Sequence, residues 1–138
     1  MAAQRITFVL DLFNKSDAKT RARSDKALEI LLEALTAIDE LYLRDHPETP
    51  LLYSEGTVYM EEPPGAEDWQ DIPVSRALKW ADCEDLACWR AAELRVRGVA
   101  AKPIASREVQ SDGTQLFHIM VKLPDGSVED PSRRLGMR

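Results

Sequence analysis

A chain of 138 residues is long enough for one domain with a buried core and short for two. Apolar residues make up 44% and charged residues 30%, an ordinary balance for a soluble globular protein. The net charge of −6 argues against a nucleic-acid partner held through phosphates, and no apolar run approaches the roughly 20 residues of a membrane span.

The opening "MAAQRITFVLDLFNKSD" has one Arg and then a short apolar stretch, interrupted by Asp11 and Lys15 with no small-residue cleavage site after it. It does not read as a signal peptide, so a cytoplasmic, reducing setting is expected. Within it, 5–13 is rich in β-branched and aromatic residues and predicts a first strand. Ala27, Ile30, Leu31, Ala34, Leu35, Ile38 and Leu41 then recur at i, i+3, i+4, i+7. That spacing predicts a helix over 25–43, capped by Ser24 or Asp25, with this face covered by a sheet.

Pro47 and Pro50 end that helix. Segment 51–60 reads as two short hydrophobic pieces around Gly56, a strand or hairpin. Segment 61–71 is acidic and proline-rich, a solvated connection or a loop that gates a cleft or meets a partner. A helix over 74–80 follows. Asp82 then N-caps a helix with Asp85 in its first turn, and Gly98 sits at its C′ position. Strands over 99–109, 114–123 and 127–130 come next, separated by "SDG" and "PDG" turns. Arg133, Arg134 and Arg138 lie in a tail that reads as solvated. Helices first and an antiparallel meander after them make an α+β pattern.

The chain has two cysteines, Cys83 and Cys88. A disulfide between them is disfavoured, because five residues along a helix turn the side chains about 140° apart. A zinc site is disfavoured too. Two cysteines and two histidines, with no CxxC or HxxxH, do not supply a ligand set. Burial in a core suits Cys88, mid-helix among Leu86, Ala87 and Ala91. It suits Cys83 less, in a first helical turn flanked by Asp82, Glu84 and Asp85. The remaining reading makes Cys83 a nucleophile. Helix N-terminal N–H groups favour a thiolate and can face an oxyanion. The three carboxylates oppose that, so a histidine oriented by a third polar group is required.

His118 stands in "LFHIMV", on one strand face with Leu116 and Met120, while Phe117, Ile119 and Val121 share the other. A lone strand histidine is usually structural, and Asp130 alone is a turn residue before Pro131. Direct cross-strand pairing of residues 118 and 130 is not expected; neighbouring strands with a twist or bulge would bring them close.

The block "EDWQDIPVSRALKWADCEDLACWRAAELRVRG", followed by "FHIMV" and "EDPS", resembles the transglutaminase-like cysteine enzymes, most closely the bacterial transglutaminase-like cysteine proteinases. The resemblance is strongest over 67–132 of a single domain spanning 1–138. It implies a papain-like α+β core in which a nucleophile-bearing helix packs on an antiparallel sheet. It implies Cys83 as nucleophile, His118 as general base and acid, and Asp130 as the group orienting the imidazole. Trp69 matches the upstream tryptophan and, with Trp80 and Asp82, is assigned to the cleft. The Cys83 backbone N–H is assigned to the oxyanion hole, and no cofactor or metal is implied. Two positions depart from the pattern. Ala81 stands where glycine is expected. Arg90 replaces a small or apolar residue and is in reach of Glu93.

The resemblance implies thiol-dependent acyl transfer at an amide of a protein or peptide, by hydrolysis or to an amine. "EDPSRRLGM" also resembles small phage and prophage proteins, which points to phage structural proteins as partners and a virion-associated location. On that alternative the domain is a non-catalytic assembly or interaction module. A redox sensor on Cys83 is a third option, weakened by the lack of a resolving cysteine in reach.

Overall fold

The computed structural model describes residues 4–7, 18–63, 67–109, 111–112 and 115–138. Residues 4–7 carry no regular structure, and the rest of the expected first strand, 8–13, lies outside the described residues. Helix α1 spans Ala18–Asp45, and the short α2 (Leu52–Glu55) and β1 (Val58–Tyr59) follow. Next come α3 (Ile72–Leu78), β2 (Trp80–Ala81) and α4 (Cys83–Val96). The chain ends in β3 (Lys102–Val109), β4 (Gln115–Lys122), β5 (Val128–Glu129) and α5 (Pro131–Arg134). Helices and strands combine in an α+β fold, two short strands lying among the helices before the expected antiparallel meander β3-β4-β5. Of the strand or hairpin expected over 51–60, the structure has a strand after one helical turn, and that strand, β1, pairs in parallel with β2. The tail forms α5.

Helix α4 is the centre of the molecule, buried on nearly every side. Ala87, Cys88, Ala91 and Leu94 meet Leu28, Leu32 and Leu35 of α1 and Ile119 and Val121 of β4. Leu86, Trp89 and Ala92 meet Leu43, Leu52, Ile72 and Ala81 on another side. The small residues on the sheet-facing side let the helix approach the strand closely. Gly98 ends the helix with φ +86, the left-handed value that glycine adopts without strain.

Helix α1 turns a different face inward from the one its periodicity suggests. Leu28, Leu32, Leu35 and Leu43 are buried, whereas Ile30 and Leu41 remain 57% and 66% exposed and Ile38 is exposed as well. Two apolar stripes run along this helix. The all-leucine stripe fits against the alanine-rich surface of α4, and only Leu35 belongs to both the expected and the observed core face.

Among the described residues, no helix is long and apolar enough to cross a membrane.

Candidate active site

Asp82 starts α4 as an N-cap. Its carboxylate accepts from the Cys83 N–H at 2.7 Å and from the N3 backbone, while the Asp82 N–H donates to Asp85 Oδ2 at 3.1 Å, a complete capping box. Cys83 therefore occupies the first helical position. The cap also overturns one expectation. The Cys83 N–H assigned to an oxyanion hole is held by Asp82 Oδ1 instead.

Cys83 packs against the core cluster that holds Ile119, midway along β4. The Ile119 backbone N–H favours the thiolate, and the thiol lies 3.4 Å from Glu84 Oε2. Burial and the carboxylates of Glu84 and Asp82 outweigh that N–H and push the thiol strongly up. Cys88 is 0% exposed, with its thiol on the Leu32 carbonyl at 3.4 Å. Both cysteines are free, so Cys88 is the core residue its position suggests.

His118 Nε2 lies 2.8 Å from Asp130 Oδ2, with both side chains largely buried. A carboxylate only accepts, so Nε2 is the donor and Nδ1 is the ring nitrogen left free of Asp130. The register explains the meeting. Val121 pairs with Glu129 and Lys122 with Val128, which puts Asp130 level with Met120, on the His118 face of β4. His118 reaches it along the diagonal. Asp130 also N-caps α5, accepting from the Arg133 N–H at 3.3 Å, and Arg133 Nε stands 3.4 Å from its other oxygen. The fold thus joins His118 to Asp130 and brings Cys83 to the residue after His118. Among the described residues no hydrogen bond runs from Cys83 to His118.

Trp69 and Cys83 are both partly buried against the same core cluster. Trp80 lies in β2, paired with Val58, and no described contact joins it to Cys83.

The acidic loop is more than a solvated connection. Glu62 and Gln70 are buried. The Glu62 N–H donates to Asp82 Oδ2 at 3.2 Å, the Asp68 N–H to Glu62 Oε2 at 2.7 Å and the Gln70 N–H to Asp85 Oδ1 at 2.7 Å. The loop is strapped to the helix N-terminus by carboxylates, an arrangement hidden in sequence because acidic residues in a proline-rich stretch look solvated. Glu62, Glu84 and Asp85 bring ligand oxygens within 4.8 Å of one another, and Glu62 Oε1 and Glu84 Oε1 have no hydrogen-bond partner. Chemically this is a hard, all-oxygen donor set of the kind that suits a divalent cation. Burial pushes all three carboxyls up, aided by neighbouring carboxylates: Glu67 and Asp82 at Glu62, Asp82 and Glu67 at Glu84, and Glu84 and Glu62 at Asp85; Glu84 is raised to about 8.

Compared with known protein families, curated proteins and solved structures, the chain matches none.

Proposed function

We propose that the protein is a thiol-dependent acyl-transfer enzyme acting at amide bonds, with a papain-like, transglutaminase-like arrangement of Cys83, His118 and Asp130. The observation that carries this reading is the His118–Asp130 hydrogen bond of 2.8 Å on the strand whose next residue, Ile119, belongs to the core cluster that Cys83 packs against. A dyad of this kind orients an imidazole and fixes its tautomer.

The thiol is not ionised in advance, so His118 acts as a general base during attack. Nδ1 takes the thiol proton as sulfur bonds to the carbonyl carbon. The imidazolium is stabilised by Asp130 and gives that proton to the departing amine nitrogen as the C–N bond breaks. Water then attacks the thioester. His118 takes one water proton and returns it to the sulfur as the acid leaves. An amine in place of water gives transamidation by the same steps.

Alkylation of Cys83 by iodoacetamide, with Cys88 as internal control, tests the reading. Cys83 should react and Cys88 stay silent, and His118→Ala should slow Cys83 by about a hundredfold. Equal rates with and without His118 would sink the catalytic role.

A second reading, a non-catalytic interaction module, is favoured by one observation. The groups that would prepare Cys83 are turned against it, its N–H capped by Asp82 and its thiol raised by Glu84. On that reading Cys83→Ala leaves assembly unchanged.

A further inference from the structure

We propose that Arg90 is a positioning residue that sets the separation between the two halves of the site, an inference that rests on the catalytic reading above. Arg90 follows Cys83 by seven residues, two helical turns along the same side of α4. Its guanidinium spans two carboxylates. Nε donates to Glu129 Oε1 at 2.8 Å, and Nη1 to Glu93 Oε1 at 3.1 Å. Glu93 in turn accepts from the Leu52 N–H at 2.7 Å. Glu129 is the residue before Asp130. One rigid fork therefore connects the helix that starts at the nucleophile to the strand that ends at the imidazole's partner.

The sheet alone does not fix that strand. β5 contributes two ladder residues, Val128 and Glu129, and the chain then turns into α5. Glu129 supplies the missing anchor. Besides Arg90, it accepts from the Tyr53 hydroxyl and faces Arg134 at 3.6 Å. The Tyr53 ring lies under both guanidiniums, 4.9 Å from that of Arg90 and 4.0 Å from that of Arg134. Arg90 is largely buried, so the strut is little screened by water. A shift of β5 against α4 would move Asp130 relative to His118 and turn the imidazole relative to the sulfur. Misplacements of about 1 Å in such groups cost on the order of a hundredfold in rate. Lysine cannot replace the fork, because a single ammonium does not hold two carboxylates in fixed directions.

The test uses the full chain and follows the rate of Cys83 alkylation by iodoacetamide against pH. Wild type, Arg90→Met, Arg90→Lys and His118→Ala are compared, each checked for folding by circular dichroism. Arg90→Met should lower the His118-dependent rate by about tenfold and displace the midpoint of the pH profile, and Arg90→Lys should displace it the same way by less. A merely structural residue would lower stability and leave that midpoint in place. Should Arg90→Met fail to fold, Arg90→Lys decides alone. A wild-type profile in the folded Arg90 variants, alongside a collapsed rate in His118→Ala, overturns the strut and leaves the catalytic reading standing. A wild-type rate in His118→Ala overturns both.

Discussion

Glu129 and Asp130, on the sheet side of the site, each face guanidinium groups, those of Arg90 and Arg134 for the one and that of Arg133 for the other, with the His118 imidazole added at Asp130. Glu62, Asp82, Glu84 and Asp85, at the helix N-terminus, face backbone N–H groups, a thiol and one another. None of these four makes an ion pair among the described residues. Both sides bury carboxylates, but only one neutralises them. The sheet side is held by attraction between opposite charges. The helix side is held by capping hydrogen bonds and the helix dipole, against the repulsion of its own charges. Buried charge left uncompensated is a cost that stable packing avoids, and functional sites are where it recurs. The contrast predicts that removing a charge is destabilising on the paired side, whereas on the unpaired side the sign depends on whether the carboxylate also holds backbone N–H groups.

The largest effect is expected on the paired side. Glu129→Gln keeps the shape and removes a counter-charge that Arg90 and Arg134 share, leaving the largely buried Arg90 guanidinium with Glu93 as its one carboxylate partner. Denaturant unfolding should show a loss of about 2 to 3 kcal/mol. A loss below about 0.5 kcal/mol, the level of an exposed pair, would break the comparison by showing that the cluster is solvated.

On the unpaired side the carboxylates differ among themselves, and Asp85 sharpens the point. It accepts from both the Gln70 and Asp82 N–H groups. Asp85→Ala orphans both donors and opens the capping box. It should cost about 2 kcal/mol at neutral pH despite removing a repelled charge. Hydrogen exchange should rise at Gln70 and Asp82 and stay unchanged in β3 and β4. A stabilised Asp85→Ala would mean that repulsion outweighs the cap.

How much of this was legible in the sequence follows from the range of the interactions. The start of α4 was readable because a cap is written in adjacent residues, Asp82, Asp85 and the cysteine between them. The strands of β3 and β4 were readable from alternation and from the turns that bound them. His118 and Asp130 were singled out by residue type, but their meeting depends on a diagonal offset that only the register fixes. The core face of α1 was misjudged because two apolar stripes compete, and periodicity carries no information about which one the alanines of α4 will accept. α2 and β1 are too short for any period to emerge. Arg90 was matched to Glu93, its helical neighbour, while Glu129, 39 residues away, was out of reach of local pattern. Glu62 and Gln70 look solvated in sequence because the carboxylates that hold their N–H groups, Asp82 and Asp85, lie 20 and 15 residues away, out of reach of composition.

The smallest effect, and the one that changes with pH, belongs to Glu84. Its carboxyl is pushed up from 4.5 to about 8 by burial first, then by Asp82. Between those two values the folded protein holds a proton that the unfolded chain has released, so folding is favoured at low pH. That contribution is fully present below about 4.5 and is lost as pH rises through about 8. Glu84→Gln removes the titration. The variant should match wild type below about pH 4.5 and exceed it progressively as pH rises toward 8, the reverse in sign of Glu129→Gln. Asp85 and Glu62 are raised in the same direction, so the slope should become shallower rather than vanish. The same substitution takes a negative charge from beside the Cys83 sulfur and supplies an N–H donor in its place. Cys83 alkylation above pH 8 should therefore quicken in Glu84→Gln. Melting curves that fall with pH as steeply as wild type, together with an unchanged alkylation rate, would show that Glu84 is not the group that sets the charge around the thiol.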